Sequence, residues 1–379
     1  MKRDSNIDLL RGLAFLGVLI CHWVCVFLPN LYFANTNSGF EWFWRGSPLN
    51  AITNGDVAVQ FFFIISGFLI TKKTNAVSQS QEFCCEKYLF KKILNILKIV
   101  AIGLTFGFVL SFALFKLCQN ALTVSENVGF LNDYYSSSPT LIGFFYDFYN
   151  LFKNGTSSFN SPLWTMRHEL FGSLFIFLIT YTIFKSNSKP YQKPLIIFIC
   201  GLALSFFDIY ILSFTFGSLL FFGLNYLDRP LKTLKENRKG IYYLVFVLFL
   251  IVSIYMATIN TYPLTGLWSW ISFVGRANVV IRAFGITCLL FLLFRTSFKV
   301  SEKNPLSKLG VLSSYCYIFH WPILLLVGLP LFIGLYGKMN YVLLAFLILL
   351  ISLIAIIVFS LAFSFLEKII KRKVCSKNE

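Results

Sequence analysis

Apolar stretches long enough to cross a bilayer recur along this chain, with short polar segments between them. A helix needs about 20 predominantly apolar residues to cross the hydrocarbon core. This criterion predicts an all-α, polytopic transmembrane helix bundle of about ten spans, and 261–275 is a candidate for a short re-entrant or interfacial helix. The predicted spans are 7–29, 56–72, 94–117, 163–184, 194–209, 211–227, 241–258, 278–297, 309–333 and 341–366.

Composition agrees with the membrane assignment. Hydrophobic residues make up 57% of the 379 residues and charged residues 13%, about half the charged share of a soluble domain. The 45 phenylalanines, against 16 acidic residues, argue against a disordered chain. The nine cysteines show none of the paired spacings that zinc sites need, so we expect no metal.

The net charge of +17 predicts topology, because lysine and arginine lie in short clusters between the apolar stretches. No basic stripe suited to nucleic acid is present in the sequence. With a cytoplasmic N-terminus and alternating spans, the external segments keep little beyond Arg45, Lys153, Arg276 and Lys338. The internal segments then hold Lys2, Arg3, Lys72, Lys73, Lys87, Lys91, Lys92, Lys185, Lys189, Lys193, Arg229, Lys232, Lys235, Arg238, Lys239, Arg295, Lys299, Lys303, Lys308, Lys368, Lys371, Arg372, Lys373 and Lys377.

This asymmetry predicts that both termini are cytoplasmic. We expect one membrane-embedded domain over 1–370 and a basic cytoplasmic tail over 371–379. The longest loops, 30–55 and 118–162, then fall outside, and the second is rich in Asn, Ser, Tyr and Phe, with Asp133 and Asp147. A loop of this composition is suited to cover a bound sugar-like acceptor. The favoured interpretation is nevertheless an ordinary loop on the bilayer surface.

Ionisable residues inside spans are costly, so they are the first candidates for chemistry. The chain has three histidines, His22, His168 and His320, and each falls in or at the edge of a predicted span. Each one taken singly is more readily interpreted as a satisfied polar residue that bridges helices. The placement of all three within spans nevertheless favours a functional role for some of them.

Arg11 and His22 lie in the first predicted span, eleven residues apart. On a helix this spacing puts both on one side, about 16 Å apart along the axis. A guanidinium near the cytoplasm suits a phosphate-bearing donor, and an imidazole deep in the span can take a proton. Asp8, one turn before Arg11, can pair with it. The alternative is that Arg11 anchors at the inner headgroups and His22 bonds a neighbouring helix.

Four motif-like segments follow one another along the chain: Asp8-x-Leu10-Arg11-Gly12-x-Ala14 followed by His22, Gly55-Asp56 with Phe61 to Ile70, Pro162-Leu163-Trp164-Thr165-Met166-x-x-Glu169, and Tyr317-Ile318-Phe319-His320-Trp321-Pro322. In this order they resemble the motifs of the acyltransferase-3 family of integral membrane acyltransferases, and the likeness extends from residue 5 to about 325.

Three positions depart from the family pattern. Lys91-Lys92-Ile93-Leu94-Asn95 stands where an Arg-Ile-x-Pro segment is usual, so this segment has neither the arginine nor the proline of the family pattern. Gly172-Ser173 replaces an aromatic pair, and Ser314 occupies the place of a tyrosine. None of the three departures affects Arg11 or His22.

The resemblance implies transfer of an acyl group, most often acetyl, from a cytoplasmic acyl donor to a hydroxyl of an extracytoplasmic glycan or lipid-linked sugar. Acetyl-CoA or another acyl-CoA would be a co-substrate, with no tightly bound cofactor, in a multi-pass protein of the cell inner membrane. Expected partners are the acyl-CoA, the glycan or lipid-linked sugar acceptor and the bilayer, with no nucleic acid.

The predicted donor-binding residues are Arg11, Lys91 and Lys92 on the cytoplasmic side. His22 is predicted to be the general base on the acceptor hydroxyl, or to carry the acyl group itself. Glu169, expected near the external start of the fourth span, is predicted to orient the imidazole. A salt bridge from Glu169 to Arg167 or His168 is the alternative interpretation of that carboxylate.

Possible supporting residues are Asp8, Ser66, Trp164, Tyr317 and His320. A structural hydrogen bond is the favoured role for His320, and Ser66-Gly67 is expected to permit close helix packing. Arg282 and Asp208 are charges to which the sequence assigns no role. Two alternative functions remain: a transporter or flippase of lipid-linked sugars, and a family-like membrane protein that has lost catalysis and serves as an assembly partner.

Overall fold

The computed structural model describes residues 4–33, 39–78, 80, 83–125, 128, 131, 134–135, 138–259, 266–269, 277–296 and 299–375. Some sequence predictions concern positions outside this part of the chain. These are the segment 261–275 apart from 266–269, the side chain of Lys373, and Lys2, Arg3, Asp133, Arg276 and Lys377.

Fourteen α-helices and no strand occur in the described ranges, as the predicted all-α fold requires. The helices are α1 Ser5–Phe27, α2 Pro29–Phe33, α3 Gly39–Arg45, α4 Gly55–Val77, α5 Cys85–Val124, α6 Leu141–Lys153, α7 Trp164–Lys185, α8 Gln192–Leu204, α9 Ile211–Tyr226, α10 Asp228–Asn237, α11 Lys239–Ala257, α12 Ala277–Arg295, α13 Pro305–Leu335 and α14 Tyr341–Cys375.

Each of the ten predicted spans overlaps a helix, but among the described residues only eight helices are long and apolar enough to cross a membrane. α9 would make a ninth if it is counted together with α10, from which it is separated by a bend of 50°. α8 has 13 residues, so it reaches only about 20 Å, less than the hydrocarbon core. The polytopic fold is confirmed, and the part of the chain that the structure describes holds eight or nine candidate spans by length and composition.

The chain divides into two compact units. Unit 1 comprises Met1–Phe33, Asn95–Arg167 and Val300–Glu379, and unit 2 comprises Ala34–Leu94 and His168–Lys299. The divisions near residues 94 and 167 fall inside helices α5 and α7. The single domain over 1–370 and the tail over 371–379 stay predictions.

In unit 1, α13 packs against both α1 and α14. Glycines allow the backbones of α1 and α13 to approach closely. A Cβ on Gly310 would lie 1.7 Å from the carbonyl oxygen of Asp8, and a Cβ on Gly12 would lie 2.2 Å from that of Leu306. Small residues at a helix interface are the usual means of close packing inside a membrane.

In unit 2, α9 packs against α4, α8 and α12, and α11 packs against α12. A Cβ on Gly67 would lie 2.0 Å from the carbonyl oxygen of Phe214 on α9. The Ser66-Gly67 step therefore allows close helix packing, as the sequence predicted. Thr71 of α4 also donates to the hydroxyl of Ser218 on α9, at 2.7 Å.

Within the predicted external loop 118–162, some of the described residues are helical and others are buried in unit 1. Residues up to Val124 belong to α5, and Leu141–Lys153 form α6. Residues 157–163 then run into unit 1, where Asn160 is fully buried and its Nδ2 donates to the carbonyl oxygens of Gly103 and Ile318. A polar segment can be buried in this way because side chains form hydrogen bonds with its backbone groups.

Asp147 of α6 accepts several of the hydrogen bonds that this buried segment donates. Its carboxylate accepts hydrogen bonds from the Ser157 hydroxyl at 2.8 Å and from the backbone N–H groups of Ser158 at 2.7 Å and Phe159 at 3.4 Å. Burial raises the pKa of this carboxyl, and these hydrogen bonds oppose the rise. Asp147 therefore holds the segment that leads into α7.

Candidate active site

His22 of α1 and His320 of α13 are in direct contact in unit 1. Nδ1 of His22 lies 3.1 Å from Nε2 of His320, and the two ring centroids are 5.0 Å apart. His320 is fully buried, whereas His22 is half-buried. The same two helices approach closely at Gly12 and Gly310, ten residues before His22 and His320 respectively.

The hydrogen-bond partners assign the tautomers of this pair. Nδ1 of His320 lies 2.6 Å from the carbonyl oxygen of Tyr317, which can only accept, so Nδ1 carries the hydrogen. Nε2 of a neutral His320 is then an acceptor, and Nδ1 of His22 donates to it and to the carbonyl oxygen of Val18 at 3.0 Å. The lone pair of His22 is therefore on Nε2, where it can take a proton.

Aromatic side chains surround the half-buried imidazole. The ring of Trp321 lies 5.4 Å from that of His22, and the ring of Tyr134 lies 5.3 Å from that of Trp321. The hydroxyl of Ser161 donates to the Tyr134 hydroxyl oxygen at 3.3 Å. Tyr134 comes from the polar segment between α5 and α6, so that segment contributes to the surroundings of the histidine pair.

Tyr135, the residue after Tyr134, anchors this part of the polar segment. Its hydroxyl donates to the carbonyl oxygen of Phe159 at 2.9 Å, and its backbone φ of 52° lies in the left-handed region. Non-glycine residues adopt that region rarely, and usually where the surrounding structure enforces it. The buried anchor of Tyr135 thereby directs Tyr134 towards Trp321.

The start of α7 lies at the level of the histidine pair. The Tyr317 hydroxyl is 2.7 Å from Oγ1 of Thr165 and 2.9 Å from the carbonyl oxygen of Pro162. Tyr317 stands one turn before His320 near the middle of the long helix α13. The residues before α7 are buried in unit 1, so α7 begins beside the middle of α13. That the fourth span starts near the external surface stays a prediction.

Arg11, the predicted donor-binding residue, lies on α1 and donates to the hydroxyl of Ser314 on α13 at 3.4 Å. Ser314 is the position where the sequence departs from the family tyrosine, so the expectation that this departure leaves Arg11 unaffected is wrong. Asp8 is buried, with its backbone carbonyl against Gly310. Arg11 and His22 are thus both directed towards α13, as their helical spacing predicts.

Glu169 lies on the part of α7 that belongs to unit 2. Its Oε1 accepts from the Ser66 hydroxyl at 3.3 Å and lies 3.7 Å from Nζ of Lys92. Two predicted site residues and one predicted supporting residue thus meet here, while Lys91 is exposed and Trp164 is half-buried. The predicted role of Glu169, to orient the imidazole of His22, stays a prediction.

Two further polar groups in unit 2 involve residues to which the sequence assigns no role. Nδ1 of His168 forms a short contact with Oδ2 of Asp208. Arg282 is fully buried and donates to Oε1 of Gln60 at 3.2 Å and to the carbonyl oxygen of Ile259 at 3.1 Å. Its Nη2 also lies 3.4 Å from Asp56, which gives the buried guanidinium an ion-pair partner.

Comparison with known proteins identifies the kind of protein that carries this pair of histidines. A family model described as an acyltransferase domain matches residues 4–365, nearly the whole chain. The chain belongs to the acyltransferase-3 family. No curated protein and no solved structure matches the chain significantly.

An acyltransferase-3 protein transfers an acyl group, so the general class of activity follows from membership. The motif residues Arg11, His22, Tyr317 and His320 all lie in unit 1 of this family member. Sequence reasoning missed Tyr134, because the spacing of residues in a polar loop does not reveal which side chain folds back onto a helix. The abundance of Tyr and Asn in the loop was the only signal available.

Proposed function

We propose that this acyltransferase moves an acyl group, most often acetyl, from cytoplasmic acyl-CoA to a hydroxyl of an extracytoplasmic or lipid-linked carbohydrate. The contact between His22 and His320 carries the proposal. It gives His22 a hydrogen-bonded Nδ1 and a basic Nε2, which is the arrangement of a general base with an orienting partner.

In the proposed reaction, Nε2 of His22 takes the proton of the acceptor hydroxyl as its oxygen attacks the thioester carbonyl. The carbon–sulfur bond then breaks, and the CoA thiolate leaves with the proton that the imidazolium returns. The products are an acyl ester of the acceptor and free CoA. His320 acts through His22, because its Nε2 accepts the Nδ1 hydrogen and stabilises the imidazolium.

The donor is proposed to approach from the side of Arg11. The guanidinium lies about 16 Å from His22 along α1, so a phosphate bound there leaves room for the uncharged arm of CoA. Lys91 and Lys92 stay predicted donor contacts. The ion pair of Lys92 with Glu169 means that a phosphate at Lys92 would compete with a carboxylate.

The carbohydrate character of the acceptor is supported by the surroundings of His22. Tyr134 packs on the buried ring of Trp321 and is itself half-buried, so its ring offers an aromatic surface, and the hydroxyls of Tyr134 and Ser161 offer hydrogen-bonding groups. Aromatic rings with adjacent hydroxyls are well suited to bind a sugar ring, whose faces are apolar and whose edges are polar. We propose the inner membrane as the location, because an extracytoplasmic acceptor and a cytoplasmic donor meet there.

The variant His22→Asn tests the proposal. We expect a loss of about 10²- to 10⁴-fold in acyl transfer, the usual contribution of a general base. Surface glycans from cells that lack the gene would be analysed by mass spectrometry after complementation with wild type or variant. Free CoA release by isolated membranes provides the second measurement, since a transporter would move substrate without consuming acyl-CoA.

Leu13→Ala provides the matched control, since Leu13 lies on the same helix with 46% of its surface exposed. It should leave both the glycan mass and the CoA release unchanged. A His22→Asn protein that inserts normally and still acylates at the wild-type rate would refute His22 as the base. Absence of any acyl mass difference between wild-type and deleted cells, together with no CoA release, would refute the acyl transfer itself.

A further inference from the structure

An apolar groove of about 480 Å³ lies in unit 1 between α5, α13 and α14. Its wall includes Ala101, Thr105 and Val109 of α5, Phe319 of α13, and Phe359 and Phe363 of α14. The volume falls within the range of about 300–1,000 Å³ for sites that hold small molecules. Its lining is almost wholly hydrocarbon, so the occupant must present hydrocarbon to it.

Aromatic contacts hold the groove in shape. The ring of Phe319 lies 4.9 Å from that of Phe359 and 5.1 Å from that of Phe363. Phe106 joins both helices, at 4.8 Å from Phe319 and 4.9 Å from Phe359. Interlocked rings at these distances are favourable pairs, so the cleft is formed before any ligand binds.

One end of the groove is polar. Lys98 precedes Ala101 by three residues, Tyr315 precedes Phe319 by four, and Glu367 follows Phe363 by four. Each is therefore about one helical turn beyond the groove, at the same end. Lys98 and Tyr315 both form short hydrogen bonds to the carboxylate of Glu367, and Lys371 lies 3.0 Å from it.

The charges of this polar end do not balance. A single carboxylate, 17% exposed, faces the ammonium groups of Lys98 and Lys371, which are 50% and 68% exposed. The group therefore carries one excess positive charge with accessible donors. Lys368 and Arg372, both exposed on the same stretch of α14, add to the positive potential. An anion is the complementary ligand for this end.

We propose that the groove binds one acyl chain of an anionic phospholipid, with the lipid phosphate at Lys98 and Lys371. The distance from Val109 to Lys98 along α5 is about 16 Å, close to half of a hydrocarbon core of about 30 Å. A lipid in the leaflet at this end can thus place its chain against the phenylalanines and its phosphate beside the ammonium groups. This site is separate from the acyl-transfer chemistry proposed for His22.

The test compares two lipids with identical acyl chains, phosphatidylglycerol and phosphatidylcholine, on the purified full-length protein. Native mass spectrometry would measure the affinity of each lipid. We expect wild type to bind phosphatidylglycerol about tenfold more tightly, from two lysines near one anionic headgroup. The double variant Lys98→Gln with Lys371→Gln should lose this preference and keep its affinity for phosphatidylcholine.

A second variant tests the groove itself. Thr105→Trp fills it with a bulky ring and should weaken the binding of both lipids. Lys338→Gln and Val342→Trp, exposed positions away from the groove, are the matched controls and should behave as wild type. Equal affinity of wild type for the two lipids would overturn the proposal. So would a lysine double variant that keeps the preference, or a Thr105→Trp variant that binds both lipids normally.

Discussion

His22 shares the hydrogen on Nδ1 between two acceptors, the carbonyl oxygen of Val18 and Nε2 of His320. The first contact is within α1 and would exist in an isolated helix. The second depends on α13, and it turns a histidine inside a membrane span into a candidate base with a partner. Glu169, which the sequence proposed as the orienting residue, contacts Ser66 and Lys92 in unit 2, and its alignment of His22 stays a prediction.

Substitution of His320 separates a positioning role from a structural one. In His320→Leu the imidazole of His22 loses an acceptor that strengthens when His22 is charged. Such a hydrogen bond contributes about 1.5–3 kcal/mol, so we expect kcat to fall about 10- to 100-fold with little change in KM for acyl-CoA. The measurement is steady-state CoA release by purified protein at saturating acceptor.

His320→Gln is the conservative variant in that experiment, because its amide oxygen can occupy the place of Nε2 and accept the same hydrogen. It should recover most of the activity that His320→Leu loses. If both variants unfold equally or lose activity equally, His320 does not act through its acceptor nitrogen. A structural role alone predicts no rescue by Gln beyond its effect on stability.

At the residue scale, sequence reasoning was most successful where a residue belongs to a regular helix. The shared face of Arg11 and His22 follows from 3.6 residues per turn, and both are directed towards α13. Tyr134 could not be found in this way, since a loop residue acquires its neighbours only from the tertiary fold. Ser314 was noted only as a departure from the family pattern, and its hydrogen bond to Arg11 emerged from the packing of α1 on α13.

Among the elements, the boundaries of helices followed hydrophobicity, whereas the segments between them did not. α7 illustrates the difference, since its length was predicted within a residue or two, whereas the residues before it were expected to form an ordinary surface loop and are buried. Residues 157–163 can be buried in unit 1 because Asp147 accepts from their backbone N–H groups, and Asn160 donates to the Ile318 carbonyl, which Pro322 leaves without a helical donor. Polar side chains that serve the backbone in this way look like solvent-exposed loop residues in a sequence.

The close approach of α1 and α13 leads to a prediction at the scale of these elements. Gly310→Ala adds a Cβ that would lie 1.7 Å from the Asp8 carbonyl oxygen, so the helices must separate. We expect a loss of about 1–3 kcal/mol in stability and a large loss of activity, because the histidine pair would be pulled apart. The thermal unfolding midpoint in detergent and the rate of CoA release are the measurements.

Gly334→Ala is the matched control for helix propensity and composition. Gly334 lies on the same helix, and an added Cβ there meets nothing within 4 Å. The control should be as stable as wild type or slightly more so, since alanine favours the helix over glycine. Equal unfolding midpoints and equal rates of CoA release for Gly310→Ala and Gly334→Ala would show that α1 and α13 tolerate the extra methyl group. The contact at Gly310 would then not position His22.

For the whole molecule, the decisive property is the direction in which the chain crosses the membrane. The lysine and arginine asymmetry predicts cytoplasmic termini, and Arg11 would then lie near the cytoplasmic boundary with His22 deeper. The basic end of α14 would lie on the same side. Both the proposed donor site and the proposed lipid site depend on this orientation for their access to acyl-CoA and to the inner leaflet.

Sealed vesicles test the orientation of the reaction. Radiolabelled acetyl-CoA supplied only outside right-side-out vesicles should give no more ester than the His22→Asn variant, because the donor cannot reach the cytoplasmic side. Inverted vesicles, and right-side-out vesicles made permeable with detergent, should restore the transfer of label. Transfer by intact right-side-out vesicles at the permeabilised rate, without uptake of acetyl-CoA, would overturn a cytoplasmic donor site.

The sequence by itself determined that this chain is a helical membrane protein, since long apolar stretches have only one stable structure in a bilayer. It also determined the family, because short motifs in order identify the chain even where the residues between them vary. Only the tertiary structure decided which polar groups meet. Three such contacts join residues that are far apart in the chain: His22 with His320, Glu169 with Lys92, and Asn160 with Ile318. They depend on how closely helix backbones approach one another at glycines, and a sequence does not show which helix each glycine packs against.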